Sequence, residues 1–436
     1  MGKLTGQSDK RLNTTRLVVV ALLFAFSLIS YFDRTIMSIA GPQLMRDFSV
    51  SPTQMGAVYS AFILGYALLM IPGGHLSDFL GPRLTLAMMG ACSAAFTALI
   101  VFVGRPGLAA YLGIVPALFA IRLGLGVVTA PLYPACARMT ANWIPVVYHA
   151  RVQGFIIAGS SAGAAISPLL FTWMLLRFRW RVSFIAAAGA TAALSILWIW
   201  YARDRPLGII APRDGKTEHE RASWTKLFAN RNLMLLTFAY GTLGYFQYIF
   251  FYWIYYYFGE VLHMGAQASA QYTTILFLAE GAIMPAGGLV SDGLTRRYGA
   301  QFGRRMVPML GLLLSAVFTY AGTVASRTSA ALACLSLAFG LAACCEGPFW
   351  ASVTEMAGER VGAASSILNA GAQVGGFFAP ILTPYIASRA GWSWGLYAGS
   401  LVAMSGVLAI YMADVRPSRQ VDYSAKGKEP AAEPVP

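Results

Sequence analysis

Charged residues are scarce in this chain of 436 residues. Only 11% of them are Asp, Glu, Lys or Arg, whereas about a quarter of the residues in an ordinary soluble domain are charged. Hydrophobic residues make up 57% of the sequence, and its mean hydropathy is +0.60. This composition excludes an ordinary soluble fold and predicts a protein embedded in a lipid bilayer.

Cysteine and histidine are also scarce, with five and four residues. The cysteines all lie within apolar stretches, which argues against a disulfide framework, and no Cys/His set has the spacing of metal ligands. The histidines occupy predicted loops or membrane interfaces and form no catalytic constellation. We therefore predict no metal, no cofactor and no enzymatic activity.

Apolar runs long enough to cross a bilayer, about 20 residues each, occur twelve times. They predict an all-α integral membrane protein with twelve transmembrane helices in two six-helix bundles. The first run has no convincing signal-cleavage site and is interpreted as a retained helix. The runs lie near residues 17–40, 53–73, 84–103, 111–139, 148–173, 182–202, 232–258, 268–290, 306–325, 330–357, 361–388 and 392–413.

The net charge of +14 is distributed unevenly. If both termini face the cytoplasm, 23 of the 32 Lys and Arg residues lie on the cytoplasmic side and seven on the other, with Arg34 and Arg122 inside the membrane. Cytoplasmic loops of membrane proteins carry such an excess of positive charge. The pattern therefore predicts cytoplasmic termini, and the positive charge does not imply a nucleic acid partner.

The longest polar stretch between apolar runs separates them into two sets of six. Because it is rich in charged residues, we predict that it is a linker between domains. The predicted organisation is a cytoplasmic N-terminal tail (1–16), an N-terminal bundle (17–202), a cytoplasmic linker (203–231), a C-terminal bundle (232–413) and a cytoplasmic C-terminal tail (414–436).

The two halves repeat each other. Gly74-His-Leu-Ser-Asp78 recurs as Gly288-Leu-Val-Ser-Asp292 at an offset of 214, and Gly159-x3-Gly163-x4-Pro168 recurs as Gly371-x3-Gly375-x4-Pro380 at an offset of 212. Glycines at this spacing allow membrane helices to pack closely, and we expect that role here. Parallel repeats are typical of carriers whose two bundles rock about a midplane site.

The longer motif Gly74-x-Leu-x-Asp78-x-x-Gly81-x-Arg83 is similar to the loop signature of the major facilitator superfamily. Charged residues at helix ends can form ion pairs between bundles or interact with a helix dipole. We therefore predict that Asp78, Arg83 and Asp292 act in gating and do not touch substrate.

Further motifs resemble the anion:cation symporter family within that superfamily. They are Tyr31-x-Asp33-Arg34, Ile71-Pro72-Gly73-Gly74, and Arg122 followed by Pro134 and Trp143-x-Pro145. The resemblance implies a multi-pass plasma-membrane protein, bacterial inner membrane by analogy with bacterial members. It also implies proton-coupled transport of a small organic anion, a carboxylate or sugar acid, by alternating access. A single twelve-helix chain can form a complete pathway, so we expect a functional monomer.

Ionisable residues inside a membrane are functional-site candidates because their burial is costly. A guanidinium group can hold a carboxylate by two parallel hydrogen bonds, which makes Arg122 the best candidate for a substrate anchor, with Arg34 as a second. The alternative for Arg122 is a structural ion pair with Asp33 or Glu346.

Asp33 is the predicted proton-coupling residue, as the resemblance implies; the alternative is a permanent ion pair with Arg122 or Arg34. Proton-coupled sugar-acid members carry a glutamate seven residues after the helix-four arginine, where this chain has Thr129. Glu346 or Glu280 can supply a second proton site from the opposite bundle. Alternatively, the protein uses a single proton.

Polar and aromatic side chains complete the predicted site. Tyrosine hydroxyls can bind carboxylates or sugar hydroxyls, but buried tyrosines also simply pack. The aromatic run Tyr245–Tyr257 can line a pocket, form a gate or belong to an interface belt. The further substrate-binding candidates, which the resemblance places in the cavity, are Tyr31, Tyr66, Ser160, Ser161, Asn369 and Gln373.

Two other transport modes remain open. A fold of this kind also hosts uncoupled facilitators, and two arginines can instead demand an anion in both directions, as in an anion exchanger. Fold alone does not decide between these functions.

Overall fold

The computed structural model describes residues 2–105, 113–145, 148–205, 227–357 and 361–416. Within these ranges the side chains of residues 2–13, 71, 74, 75, 78 and 150 are not described. All regular structure in the described part is helical. The predicted linker and C-terminal tail fall largely outside the described residues.

The helices follow the order of the apolar runs. The N-terminal half contains α1 (Gly2–Phe48), α2 (Pro52–Leu80), α3 (Pro82–Leu99), α4a (Ile114–Thr129), α4b (Leu132–Trp143), α5 (His149–Arg177) and α6 (Trp180–Tyr201). The C-terminal half contains α7 (Arg231–Tyr256), α8 (Ala266–Tyr298), α9 (Ala300–Val324), α10a (Thr328–Ala343), α10b (Glu346–Ala357), α11 (Val361–Ala390) and α12 (Trp392–Met412).

Eleven spans of the described chain are long and apolar enough to cross a membrane, if α4a with α4b and α10a with α10b each count as one span. The 30-residue helix α11 is not among the eleven. It carries Asn369, Gln373 and several glycines, which lower its apolar character, and it packs closely against α7 and α2. With α11, the described chain has the twelve long helices that the sequence predicts.

Helices four and ten are interrupted at equivalent positions. The break between α4a and α4b contains Pro131, and Pro348 lies in the first turn of α10b. Proline lacks a backbone N–H group, so it is tolerated at a helix start but disrupts a helix interior. As a result Glu346 lies at the start of α10b, inside the membrane-spanning segment.

The repeated glycines mediate close packing within each bundle. A Cβ atom on Gly163 of α5 would lie 2.1 Å from the carbonyl oxygen of Leu28 in α1. The equivalent atom on Gly375 of α11 would lie 1.9 Å from the carbonyl oxygen of Gly241 in α7. The packing role predicted for these glycines is thus confirmed, and the two halves use it in the same way.

The halves meet through two equivalent helix pairs, α2 with α11 and α5 with α8. Ser60 Oγ donates a hydrogen bond to the carbonyl oxygen of Phe377 at 2.6 Å, and Thr274 Oγ1 donates one to that of Ala165 at 2.9 Å. In the sequence repeat, Ser60 corresponds to Thr274 and Ala165 corresponds to Phe377. The repeat therefore extends to the contacts between the bundles.

These contacts lie in the half of the molecule that carries the α1–α2 connection, which we call the loop-1 end. There, a Cβ atom on Gly56 would lie 2.0 Å from the carbonyl oxygen of Pro380, and Arg46 forms an ion pair with Glu260. Most hydrogen bonds between described side chains of the two halves lie between this end and the middle of the helices, and the contact of Asn369 with Met70 lies slightly beyond the middle. The bundles are thus closed together at the loop-1 end.

We predict that Gly163→Val and Gly375→Val destabilise the protein, because the added side chain collides with backbone. Overpacking a core costs about 1–3 kcal/mol, sometimes more. The apparent melting temperature of the detergent-solubilised protein measures the effect. Gly189→Val on α6 is the control, because a Cβ atom there meets nothing within 4 Å. Equal melting temperatures for all three variants would contradict the packing role.

Candidate functional site

Arg34 lies near the middle of the membrane span Thr14–Phe48 of α1, inside a cage of aromatic rings. Its guanidinium carbon lies 4.9 Å from the ring centroids of Phe62 and Tyr248, 5.1 Å from that of Phe251 and 5.5 Å from that of Tyr31. Its Nη2 atom also donates a hydrogen bond to the Tyr248 hydroxyl. Cation–π contacts of this kind partly replace the hydration that a buried cation loses. Helices from both bundles therefore share one positive charge.

Arg122, on α4a, is fully buried beside Arg34. Its Nη2 atom donates to the carbonyl oxygen of Arg34 at 3.3 Å, and its guanidinium group lies 4.9 Å from the centroid of the Phe62 ring. Its Nε and Nη1 atoms, and Nε of Arg34, are buried without an acceptor. Buried donors in proteins are normally paired. These three nitrogen atoms therefore mark a place where an anion can bind.

No carboxylate in the described part of the chain neutralises the two arginines directly. In the described part of the chain, no carboxylate oxygen lies within 4 Å of a nitrogen of either guanidinium group. The alternatives of a fixed ion pair between Arg122 and Asp33 or Glu346, or between Arg34 and Asp33, are therefore wrong for this conformation. An uncompensated buried charge is destabilising unless a partner arrives.

Asp33 points away from Arg34, as expected for neighbours about 100° apart around a helix. Its Oδ2 atom accepts a hydrogen bond from Thr191 Oγ1 of α6 at 2.8 Å, and its Oδ1 atom is buried without a partner. Asp33 also lines a small cavity with Ser93, Thr129 and Thr191. The cavity has room for about one water molecule. Thr129, which the sequence singled out as a departure from the family pattern, thus lies next to the predicted proton site.

Tyrosines of α2 and α7 surround the arginines. The hydroxyl group of Tyr252 lies beside both guanidinium groups and has no hydrogen-bond partner within normal geometry. Tyr252 stacks on Tyr59 with ring centroids 5.0 Å apart, and Tyr66 lies near Arg34. Part of the aromatic run of α7 therefore lies around the arginines, whereas the sequence left its role open. Nothing in the sequence singles out Tyr59.

The C-terminal bundle brings two acidic residues together. Glu346 Oε2 accepts a hydrogen bond from the Tyr240 hydroxyl at 2.5 Å, and Tyr240 accepts one from Trp350 Nε1 at 3.0 Å. Glu280 of α8 lies close enough to Glu346 for their charges to interact. Both glutamates keep part of their surface accessible. The sequence predicted the two residues but not that they lie together.

The other predicted binding residues lie near the bundle interface. Ser160 donates a hydrogen bond to the carbonyl oxygen of Ile157, one turn earlier in the same helix, and Ser161 faces Gly281 of α8. Asn369 Nδ2 contacts the sulfur of Met70 at 3.0 Å, and Gln373 Oε1 is buried without a partner. Their roles in substrate binding stay predictions.

The predicted gating residues make contacts within their own halves. The Asp78 side chain lies outside the described residues. The Arg83 Nη2 atom donates to the carbonyl oxygen of Ile199 at 2.6 Å, and its backbone N–H group donates to Asp204 at 2.9 Å. Arg83 therefore links α3 to the end of α6.

Asp292 belongs to a network that joins three helices of the C-terminal bundle. Arg304 of α9 pairs with Asp292 of α8 at 2.6 Å and with Glu355 of α10b at 2.7 Å. Arg304 is buried, whereas the Asp292 side chain is half exposed. In this conformation these ion pairs hold one bundle together and do not bridge the two.

A family model described as "Major Facilitator Superfamily" matches residues 23–302 and 274–435. Curated relatives include the "Hexuronate transporter" of Bacillus subtilis, 28% identical over 91% of this chain and 94% of its own. The "Probable sulfoacetate transporter SauU" of Cupriavidus necator is 26% identical, with 94% and 95% covered. The "D-galactonate transporter" of Escherichia coli is 26% identical, with 90% and 94% covered.

Solved structures share the fold. One is a bacterial homologue of the human lysosomal transporter Spinster in an inward-facing, unoccupied conformation, with TM-score 0.73, 16% identity and 91% and 95% coverage of the two chains. Another is a D-xylose-proton symporter, with TM-score 0.69, 16% identity and 92% and 97% coverage. The family and the relatives are transporters, which confirms the predictions of the fold class and of a non-enzymatic role.

We predict that Arg304→Met lowers the apparent melting temperature more than Asp292→Asn does. Removing Arg304 leaves two carboxylates without their shared cation, one of them largely buried. Removing the half-exposed Asp292 charge leaves the pair with Glu355 in place. A larger effect of Asp292→Asn would show that Arg304 is not the centre of the network.

Proposed function

The chain belongs to the Major Facilitator Superfamily, and from this premise we propose that it carries a small organic anion, a carboxylate or sugar acid, across the membrane together with protons. The observation that carries the proposal is the pair of buried arginines without a carboxylate partner. Several of its relatives are named for sugar acids, among them hexuronate and D-galactonate. These names support an acid sugar as the substrate.

Arg122 is the proposed anchor for the carboxylate of the substrate. Its free Nε and Nη1 atoms and the free Nε atom of Arg34 offer donors that an incoming carboxylate can accept. Because the aromatic cage already holds Arg34 in place, little side-chain entropy is lost when the anion binds. The Tyr252 hydroxyl lies where it can donate a further hydrogen bond to the anion.

Asp33 is the proposed proton carrier. Its Oδ1 atom is buried and unpaired, and the positive charge of Arg122 lies within electrostatic range. A bound anion neutralises that positive charge, which makes a proton on Asp33 more favourable. When the anion leaves, the charge of Arg122 again favours the ionised aspartate. Anion and proton therefore bind cooperatively, which is the requirement for symport.

Alternating access is supported by the way in which the two bundles meet. They are closed at the loop-1 end, through Gly56 and the hydrogen bonds of Ser60 and Thr274. By the distribution of basic residues, that end is the outer one and both termini are cytoplasmic. We propose that this conformation is closed to the outside and that the protein resides in a bacterial inner membrane, as its bacterial relatives suggest.

Uptake into proteoliposomes tests the function. With an inward proton gradient we expect the parent protein to accumulate a radiolabelled sugar acid. Arg122→Ala is expected to lose affinity by at least about 30-fold, because truncating one partner of a buried charge pair costs 2–5 kcal/mol. Asp33→Asn is expected to exchange internal for external substrate but not to accumulate it, because it cannot release a proton.

Arg122→Lys is the matched control, because it keeps the charge but not the planar group that offers two parallel donors to one carboxylate. A parent protein that equilibrates substrate regardless of the gradient is an uncoupled facilitator. One that requires an internal anion is an exchanger. Normal accumulation by Asp33→Asn would assign coupling to Glu280 or Glu346.

We also predict that Gly56→Val prevents closure at the loop-1 end, because its side chain would occupy the place of the Pro380 carbonyl group. Hydrogen exchange of the adjoining segments of α2 and α11 should increase, and transport should fall. Gly154→Val is the control, because a Cβ atom there meets nothing within 4 Å. Unchanged exchange in Gly56→Val would mean that closure does not depend on this contact.

A further inference from the structure

The small cavity beside Asp33 is lined partly by polar side chains. Half of its lining residues carry an oxygen atom in the side chain, and the other half are apolar. The polar ones are Ser30, Asp33, Ser93, Thr129 and Thr191. The proposed function uses the carboxylate of Asp33 but gives no role to the hydroxyl groups around it.

The two carboxylate oxygens of Asp33 have different surroundings. Oδ2 accepts the hydrogen bond from Thr191, whereas Oδ1 is buried and has no partner among the described residues. Ser93 Oγ, on α3, is also buried without a partner in the described chain. Buried polar atoms are normally hydrogen-bonded, to ordered water where the protein supplies no partner. Because Asp33 and Ser93 line the same cavity, one ligand there can bind both atoms.

The size and the charge of the site favour a water molecule over a cation. The cavity has room for about one water molecule, and a buried water molecule typically forms about three hydrogen bonds. Asp33 Oδ1, Ser93 Oγ and Thr129 Oγ1 offer three polar partners. The positive charge of Arg122 lies within electrostatic range of Asp33, which disfavours a second cation beside it.

The other charged residues of the surrounding helices lie away from this site. Arg34 is on α1 itself and points in another direction than Asp33. Helices α2, α3, α5, α6 and α7 carry their charged residues near their ends, and Arg138 of α4b lies beyond the break of helix four. The tyrosines of α2 and α7 described above face the arginines. Arg122 of α4a is therefore the charged partner that acts on Asp33.

Hydroxyl groups and water can serve both protonation states of Asp33. With an ionised Asp33, a water molecule can donate to Oδ1 and accept from Ser93. With a protonated Asp33, the same water molecule can accept from Oδ1–H and donate to Ser93 or Thr129. Thr129 Oγ1 donates its own hydrogen to the carbonyl oxygen of Leu125 at 2.8 Å, so it offers the cavity an acceptor. Only hydrogen atoms need to reorient when the proton arrives.

Thr191 determines which oxygen of Asp33 is free for the proton. A threonine hydroxyl has one hydrogen, and that of Thr191 has two acceptors within reach. They are Asp33 Oδ2 at 2.8 Å and the carbonyl oxygen of Ala187 at 3.2 Å. The shorter contact directs the hydrogen to Asp33. A proton on Oδ2 would compete with that hydrogen, whereas a proton on Oδ1 would not.

From this arrangement we propose that the cavity binds one water molecule through Asp33 Oδ1 and Ser93 Oγ, and that Thr191 positions Asp33 toward it. A proton from the aqueous phase then forms its bond to Oδ1, and the new hydroxyl group donates to the water oxygen. When the proton leaves, the Oδ1–H bond breaks and the water molecule donates to the carboxylate again. The inference rests on the proposed function, because it assumes that Asp33 carries the proton.

Infrared difference spectroscopy of the purified full-length protein in liposomes tests the site without any substrate. A carbonyl stretch that appears on acidification of the parent protein and is absent in Asp33→Asn belongs to the protonated Asp33. A water O–H stretch that changes together with this band, and shifts in water enriched in a heavy oxygen isotope, reports the bound water molecule. We expect both bands in the parent protein. Ser93→Val, which replaces the hydroxyl group with methyl groups, should lose the water band.

Variants of Thr191 test its positioning role. Thr191→Val keeps the shape of the side chain but removes the donor. Because a hydrogen bond to a carbonyl oxygen weakens the C=O bond, its loss should move the Asp33 carbonyl stretch to higher wavenumber. Thr191→Ser should restore the position seen in the parent protein. Thr319→Val is the matched control, because this buried threonine donates to the carbonyl oxygen of Ser315 in its own helix.

Four results would overturn the proposal. A parent protein that lacks the Asp33 carbonyl band, or the water band linked to it, has no such site. An unchanged carbonyl band in Thr191→Val would exclude the positioning role, and a retained water band in Ser93→Val would exclude Ser93 as a partner. Loss of the water band on addition of sodium ions at constant pH would assign the cavity to a metal cation. Normal proton-driven accumulation by Asp33→Asn would instead contradict the proposed function, and the infrared bands of the parent protein would still decide the water site.

Discussion

The two buried guanidinium groups of Arg34 and Arg122 are the constraint on which the arrangement of the central helices depends. Two like charges inside a membrane protein are costly, and no described carboxylate lies within 4 Å of them. Aromatic rings from α1, α2 and α7 surround Arg34, and Arg122 also packs on Phe62. The protein thus lessens the cost of the charges without neutralising them. Under the proposed function, an incoming anion meets donors that are already in place.

Under the proposed function, the repeat provides the scaffold in which access to this site alternates. Close glycine contacts join α1 to α5 and α7 to α11, so each bundle can move as a rigid unit. Between bundles, equivalent hydrogen bonds of Ser60 and Thr274 close one end. These are single hydroxyl-to-carbonyl bonds, worth about 0.5–1.5 kcal/mol each. A strong core within each bundle and weak contacts between bundles are what a rocking motion about a central site requires.

The sequence predicted the helices, the repeat and the charged residues because each leaves a local mark. Arg122 stands out in an apolar run, and the packing of Gly163 and Gly375 follows from their spacing. Partners across the bundle leave no such mark. Thr191 binds Asp33 from 158 residues away. Tyr248 is one of many aromatic residues in the sequence, and only the structure shows that it contacts Arg34. The pairing of Asp292 with Arg304 within one bundle was equally unpredictable, since a charge at a helix end can face either bundle.

The number of acidic groups near the arginines connects proton coupling with substrate choice. Thr129 stands where proton-coupled relatives of the predicted family carry a glutamate, so Asp33 is the one carboxylate lining the small cavity described in the N-terminal bundle. Under the proposed function, one proton on Asp33 balances one negative charge on the substrate, and the loaded site crosses the membrane without added net charge. A dicarboxylate would need a second proton. Under the proposed function, the absence of a second carboxylate from this cavity therefore favours a substrate with a single negative charge.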